Sequence, residues 1–220
     1  MNYRIVERFV SINGEGKKSG QLSVFIRFKG CNLNCSYCDT LWANKENVEY
    51  ENMTEMEIYR FIKETGVNNI TLTGGEPLIQ DNILGLVKYL LLDQKLQLEI
   101  ETNGSIDISP FVNLNRLTLT MDYKLPSSRV ESKMDISNLK KIRKEDVIKF
   151  VVSCESDLDT MKNIIKEFDL VNRTNVYVSP TFEEIDPRDI VEFMKYNKLN
   201  NTTLNIQLHK IIWDKERRGV

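Results

Sequence analysis

From Leu22 onward, short apolar runs alternate with amphipathic stretches. Leu22-Ser-Val-Phe-Ile-Arg-Phe alternates in character and is rich in β-formers, which predicts a strand. Thr54 opens a helix, with Glu57 three residues on to complete a capping box and Gly66 just past the end. Asn69-Ile-Thr-Leu-Thr reads as a strand stopped by Gly74-Gly75-Glu76-Pro77, and Ile83, Leu84, Leu86, Val87, Leu90 and Leu91 mark the next helix. Residues 96–101 and 116–121 read as strands, followed by a polar connection through Pro126-Ser127-Ser128. Further strands are expected at 147–152, 175–178 and 203–208, with a capped helix at 156–168 and another at 187–196.

Repeated strand–helix units imply an α/β fold with a mostly parallel sheet and right-handed crossovers. About seven strands are too few to close an eight-stranded barrel, so a partial TIM-like barrel or an open sheet is expected. No internal repeat or Pro/Gly/Ser linker interrupts the chain, and a single domain over 1–220 is the simpler reading. In either form the chemistry belongs at the carboxyl ends of the strands. The cysteine loop, Gly74-Gly75-Glu76-Pro77, Thr102-Asn103-Gly104 and Tyr123-Lys124 all follow expected strands, so they are predicted to converge.

Composition narrows the classes. The 220 residues are 41% hydrophobic and 28% charged, close to globular averages. Lys and Arg number 30 against 32 Asp and Glu, a net charge of −2, which argues against nucleic acid or a membrane surface as the partner. The start, Met-Asn-Tyr-Arg-Ile-Val-Glu-Arg, lacks the apolar core of a signal peptide. The greasiest stretch, residues 83–92, is broken by Lys88 and falls far short of the roughly 20 residues a bilayer span needs. A cytoplasmic location with reduced thiols is expected, where clustered cysteines signal metal binding or catalysis.

Three of the four cysteines form Cys31-Asn-Leu-Asn-Cys35-Ser-Tyr-Cys38, a C-x3-C-x2-C spacing. Soft thiolates select zinc, cuprous copper or iron–sulfur clusters. Zinc needs a fourth ligand, and the lone His209 and Cys154 lie far off in sequence, each near an expected strand end. A 4Fe–4S cluster takes four cysteines as a rule, so three imply one iron open to another ligand, and an open position is a catalytic feature. The competing readings are a zinc knuckle, a group of buried thiols or a non-catalytic electron carrier. Cys154 is expected to be a small buried hydrophobe. The paired glycines at 74 and 75 permit a close backbone approach to a ligand.

The cysteine spacing, the aromatic Tyr37 before the third cysteine and the unbroken Thr73-Gly74-Gly75-Glu76-Pro77 resemble the radical S-adenosylmethionine superfamily. That resemblance implies a 4Fe–4S cluster on Cys31, Cys35 and Cys38, with the methionine amino and carboxylate groups of S-adenosylmethionine on the open iron. One electron would cleave that cofactor to a 5′-deoxyadenosyl radical. Ser11-Ile-Asn-Gly14-Glu15-Gly16, Gly20, Phe25-Ile-Arg27, Gly30-Cys31, Cys38-Asp39-Thr40 and Gln207-Leu-His209-Lys210 are similar to the 7-carboxy-7-deazaguanine synthases. This family rearranges 6-carboxy-5,6,7,8-tetrahydropterin to 7-carboxy-7-deazaguanine with loss of ammonia, on the route to queuosine. The resemblance implies an abridged barrel, Mg2+, a cofactor regenerated each turnover, a homodimer and an electron donor such as flavodoxin or ferredoxin. The nearest alternative is a glycyl-radical activating enzyme, which shares the cysteine loop.

Residue by residue, the resemblance puts Mg2+ on Thr40 and the pterin against Ile12, Asn13, Gly14, Glu15, Arg27, Thr73, Glu101 and His209. It puts S-adenosylmethionine against Tyr37, Cys38, Asp39, Gly75, Glu76, Lys124 and Ser153. The residue types suit these roles. Glu15 and Glu101 can read the amide and amidine edge of a pterin, Arg27 can grip a carboxylate with two parallel hydrogen bonds, and a hydroxyl suits a hard cation. Plainer roles stand beside them: Thr40 as a turn residue, Arg27 paired with an acid on its strand face, Glu101 facing solvent, His209 as a structural donor. Trp42 and Trp213 read as packing residues, and the basic run from Lys215 to Arg218 as a solvated tail or a cover for the pocket. The chain departs from the common pattern at Asn13, where glutamine is usual, and at Tyr37, where tryptophan or phenylalanine often stands.

Overall fold

The computed structural model describes residues 1–214 and 217–220. Among these residues one nine-stranded sheet carries the fold, in the order β3-β1-β2-β4-β5-β6-β7-β8-β9. The strands are β1 (Asn2–Ile12), β2 (Leu22–Phe28), β3 (Glu51–Thr54), β4 (Asn69–Gly74), β5 (Gln97–Thr102), β6 (Leu117–Tyr123), β7 (Val147–Val152), β8 (Asn175–Pro180) and β9 (Thr202–Leu204). Pairings from β2 through β9 are parallel, while β1 pairs antiparallel with both β2 and β3. The helices are α1 (Glu55–Thr65), α2 (Ile83–Leu90), α3 (Asn138–Lys141), α4 (Glu155–Glu167), α5 (Leu170–Arg173), α6 (Pro187–Asn197) and α7 (Leu208–Ile212). None of the described helices is long and apolar enough to cross a membrane.

The capping box at Thr54 and Glu57 forms, and Gly66 closes α1 in the left-handed region at φ 69°. Two strands, β1 and β3, lie outside the expected set. β1 carries Arg4, Glu7 and Arg8, and its register with β2 shifts between Ile5 and Glu7, which breaks the period-2 signal. The strand expected at 203–208 is corrected: β9 ends at Leu204 and α7 begins at Leu208. Leu208 N–H donates to Gly14 O (3.0 Å), which draws the chain off the sheet edge and under the β1–β2 loop. The cap of α4 also differs. Cys154 holds the cap position without a side-chain bond, and Asp157 instead accepts from Ser153 N–H (2.9 Å) and Ser127 N–H (3.1 Å).

Strands buried on both faces in parallel sheets usually read as continuous apolar runs. Here they alternate. Ile26, Ile70, Leu72, Leu98, Ile100, Leu119, Ile148 and Phe150 are buried in one core with Ile58 and Ile62 of α1, Leu86 and Leu90 of α2, and Leu158 and Met161 of α4. The intervening positions, Arg27, Thr71, Thr73, Glu99, Glu101, Thr120, Asp122 and Lys149, are polar. Side chains alternate between sheet faces, so one face packs the helices and the other presents a polar surface. That surface positions the site.

Candidate active site

The polar face forms a basin with a cavity of about 660 Å3, bordered by Arg27, Thr73, Glu101, Asp122 and Lys149 from neighbouring strands. Arg27 and Thr73 are register partners across β2 and β4. Thr73 Oγ1 donates to Glu101 Oε2 (2.7 Å). Arg27 Nε donates to Glu7 Oε2 (3.0 Å), and Glu7 lies opposite Arg27 just after the register shift in β1. Thus the plainer expectation for Arg27, an acid on its strand face, is met, while Arg27 also borders the basin. Glu7 also pairs with Arg218 (3.4 Å), whose guanidinium stacks over Trp42. Trp42 borders the basin as well as packing. For the basic tail, Lys215 lies outside the described residues, and Arg217 and Arg218 border the basin.

Beneath this layer lies a buried polar tier. Ser23 and Thr71 hydroxyls are 2.9 Å apart, and Thr71 Oγ1 bonds Asn13 Oδ1 (3.0 Å). Asn13 Nδ2 donates to Glu99 Oε2 (3.3 Å), and Thr120 Oγ1 to Glu99 Oε1 (2.5 Å). Glu99 is 3% exposed. Burial, aided by the charge of Glu101, pushes its carboxyl up to about 7. Asn13 belongs to this tier. Its side chain bonds Thr71 and Glu99, its N–H donates to Gln21 O and its carbonyl accepts from Gly20, so it lies under the basin and not on its wall.

A chain of charges crosses the basin. Lys149 Nζ sits 3.2 Å from Glu15 Oε2 and 3.6 Å from Asp122 Oδ2, and Asp122 Oδ2 sits 2.9 Å from Lys124 Nζ. Burial opposes the Lys149 charge, but Glu15, Asp122 and Glu101 outweigh it and hold the ammonium charged well above its usual range. Glu15 Oε1 accepts from Ser179 (3.1 Å) and Asn205 (3.2 Å). Sequence reasoning missed Lys149, Asp122 and Glu7. The available signal was a charged residue at an inward position of an otherwise apolar strand, as in Val-Ile-Lys-Phe-Val-Val.

Cys31, Cys35 and Cys38 border the same basin, half-buried and without disulfides. Burial pushes all three thiols up, and nearby Lys124 works against that shift at each. Lys124 Nζ lies 5.7 Å from the Tyr37 ring centroid, and the buried Tyr37 hydroxyl has no hydrogen-bond partner among the described residues. Thr40 Oγ1 donates to Asp39 Oδ1 (2.8 Å), and both residues border the basin. The paired glycines serve backbone packing. A Cβ on Gly74 would strike the backbone of its β2 partner Phe28, and one on Gly75 would overlap the Gly30 carbonyl and Asn44, so the two glycines let the end of β4 lie close against the end of β2 and the residue that leads into the cysteine loop.

Two expected cofactor contacts fall behind the wall. Glu76 is fully buried, and its carboxylate accepts from Leu78 N–H (2.9 Å), Thr102 Oγ1 (2.9 Å) and Asn103 N–H (2.7 Å), which locks the Gly-Gly turn to the end of β5. Burial raises it to about 7. Ser153 bonds Thr181 (2.7 Å), and Thr181 is the one that borders the basin. His209 packs so tightly on Gly14 that any Cβ there would overlap Nδ1, and burial lowers its pKa. Ile12, Gly14, Glu15 and His209 all border the basin. The expectation for Cys154 is corrected: it is exposed at the head of α4, where hydrogen bonds with Ser127 (3.3 Å) and Ser156 (3.1 Å) lower its pKa.

Three soft thiols on one loop open onto the basin, a donor set that suits an iron–sulfur cluster. Among the described residues no three His, Cys, Asp or Glu side chains converge as ligands of one metal ion would. Thiolates of a cubane bind different irons, so a cluster makes no such demand. Three soft donors in one loop also match a cluster with one iron left open.

A sequence profile of the Radical SAM superfamily matches residues 25–118. The chain is 61% identical to 7-carboxy-7-deazaguanine synthase of Clostridium acetobutylicum, covering 100% of both chains. It is 34% identical to the enzyme of that name from Thermoplasma acidophilum, covering 95% of this chain and 96% of the relative. Its fold is similar to that in "Crystal structure of QueE from Escherichia coli", with a TM-score of 0.76 at 22% identity over 94% of each chain.

Proposed function

We infer, from a chain that belongs to the 7-carboxy-7-deazaguanine synthase family of radical S-adenosylmethionine enzymes, that the basin rearranges 6-carboxy-5,6,7,8-tetrahydropterin to 7-carboxy-7-deazaguanine with release of ammonia. The observation that carries this reading is the three-thiol loop opening onto the same basin as Glu15, Arg27 and Glu101. A 4Fe–4S cluster and S-adenosylmethionine are the cofactors, and when bound they supply a one-electron cleavage that yields a hydrogen-abstracting radical.

The protein's part is to bind, orient and exclude water. Cys31, Cys35 and Cys38 would hold the cluster, with S-adenosylmethionine along Tyr37, Asp39, Gly75 and Lys124. Arg27, held by Glu7, offers its guanidinium to the substrate carboxylate. Glu15 and Glu101 take the N–H donors of the pterin, and Ile12, Gly14, Thr73 and His209 complete the wall. Asn13, Glu76 and Ser153 serve one layer behind, as supports. Magnesium keeps several waters and takes few protein ligands, so Thr40 beside Asp39, together with the substrate, would hold it. Trp42, covered by Arg218, closes one side. Around this core we place a single domain over 1–220, a homodimer, a flavodoxin or ferredoxin as electron donor, and the cytoplasm, whose reducing state keeps the three thiols free.

The test is an anaerobic assay of the reconstituted protein with S-adenosylmethionine, a reductant, Mg2+ and the carboxytetrahydropterin. Product and ammonia in equal amounts are expected. Neither appearing, from protein with an intact cluster by iron content and spectrum, overturns the reading. Thr40→Ala should weaken the response to Mg2+ and leave the iron content unchanged.

A further inference from the structure

Glu15, Lys149, Asp122 and Lys124 form a run of alternating charge with side-chain exposures of only 12–18%. Its two ends face different chemistry. Glu15 extends from the β1–β2 loop on the side assigned to the pterin, with Oε1 fixed by Ser179 and Asn205 and Oε2 turned to Lys149. Lys124 stands by the Tyr37 ring on the side of the cysteine loop. Lys149 is the middle member, one ammonium shared by two carboxylates at 3.2 and 3.6 Å. Asp122 has spare capacity, because its buried Oδ1 has no hydrogen-bond partner among the described residues.

The arrangement is a charge divider. A ligand N–H that bonds Glu15 takes up part of its charge and frees Lys149 to close on Asp122. Asp122 then needs Lys124 less, and Lys124 is released toward an anionic group on its own side. The reverse sequence runs equally well. Any such coupling is reciprocal: one ligand changes the affinity of the second by the same factor as the second changes the first.

We propose that Lys149 is a positioning residue that couples the two pockets, so that pterin at Glu15 tightens S-adenosylmethionine at Lys124 and the reverse. The proposal rests on the function inferred above, which assigns the two ligands to the two ends.

The test measures equilibrium binding of S-adenosylmethionine to cluster-loaded protein without reductant, with and without 6-carboxytetrahydropterin, in wild type, Lys149→Met and Lys149→Arg. Wild type should bind S-adenosylmethionine about fivefold or more tightly when the pterin is present, the low end of ordinary coupling. Lys149→Met should bring that factor to about one, and Lys149→Arg should keep most of it. The converse titration, pterin with and without S-adenosylmethionine, should return the same factors. Should Lys149→Met lose its cluster, Lys149→Gln, which removes the charge and keeps a hydrogen-bond donor for Glu15, carries the same expectation. An undiminished factor in the Met or Gln variant with wild-type iron content and circular dichroism overturns the proposal, as does a wild-type factor of one with both ligands bound. Wild-type protein that binds no pterin at all overturns the functional reading itself.

Discussion

Glu99 and Glu101 stand two residues apart on β5 and face the same side of the sheet, yet their surroundings set them to different work. Both oxygens of Glu99 are engaged by buried donors, Asn13 and Thr120. Glu101 receives the Thr73 hydroxyl and borders the cavity. The lower carboxyl is a floor member, its polar group satisfied by the protein. The upper one is available to a ligand. Depth along a single strand, with no change of residue type, separates support from reagent. A buried polar network is stable only when its members are partnered, which is why the lower tier is closed on itself.

The largest expected effect comes from breaking the floor. Glu99→Leu strands the Asn13 amide and the Thr120 hydroxyl, at a cost to stability of about 2–4 kcal/mol from two unmet hydrogen bonds. Denaturant unfolding would show it as a lower midpoint, and protein that remains folded should keep its KM for the pterin within a few-fold. Full stability with abolished turnover would break the comparison by making Glu99 a reagent. Glu101→Gln is the mirror experiment. It keeps an acceptor for Thr73 and loses the charge, so kcat/KM should fall roughly 10–100-fold, in line with one charge-assisted hydrogen bond, while the unfolding midpoint stays put. A smaller effect is expected from Asn13→Gln, which restores the residue usual in the family and adds one methylene to a filled tier. Overpacking should cost about 1 kcal/mol, unless the longer amide reaches past Glu99 to the basin, in which case the pterin KM falls instead.

The same distinction explains what could be read from the chain alone. The cysteine triad, the Gly-Gly-Glu-Pro turn and the parallel strands up to β8 are local patterns, and each stands where its pattern put it, whereas β9 is cut short at Leu204 by a contact distant in sequence. Glu76 and Ser153 were located at the right strand ends but not behind the wall, and Asn13 was assigned to the wall with no strand expected before it, because sequence position does not say which donors will claim a side chain. Lys149 and Glu7 went unnoticed for a related reason: their importance comes from partners distant in sequence or shifted in register. Cys154 was misjudged by residue type. Cysteines are commonly buried, but this one heads a helix beside two serines. The strand β1 escaped because its bulge and its charges interrupt the alternation that identifies a strand.

The finest test of the two tiers uses pH and the isosteric change Glu99→Gln. In the folded protein burial raises the Glu99 carboxyl to about 7, against 4.5 as its ordinary value. Between these two values the folded state holds a proton that the unfolded chain has released. The stabilisation from this group is therefore complete below about pH 4.5 and is lost as pH rises through about 7. Glutamine copies the neutral acid at every pH, accepting from Asn13 through its oxygen and donating to Thr120 through its nitrogen. Glu76, also raised to about 7, contributes the same slope to both proteins and cancels in their difference. Urea unfolding of wild type and variant from pH 5 to 8 should show the midpoint difference moving in favour of the variant up to about pH 7 and levelling off above it. A difference that stays flat across that range would mean that Glu99 keeps its ordinary acidity, and that the lower tier is not sealed from water as its hydrogen bonds imply.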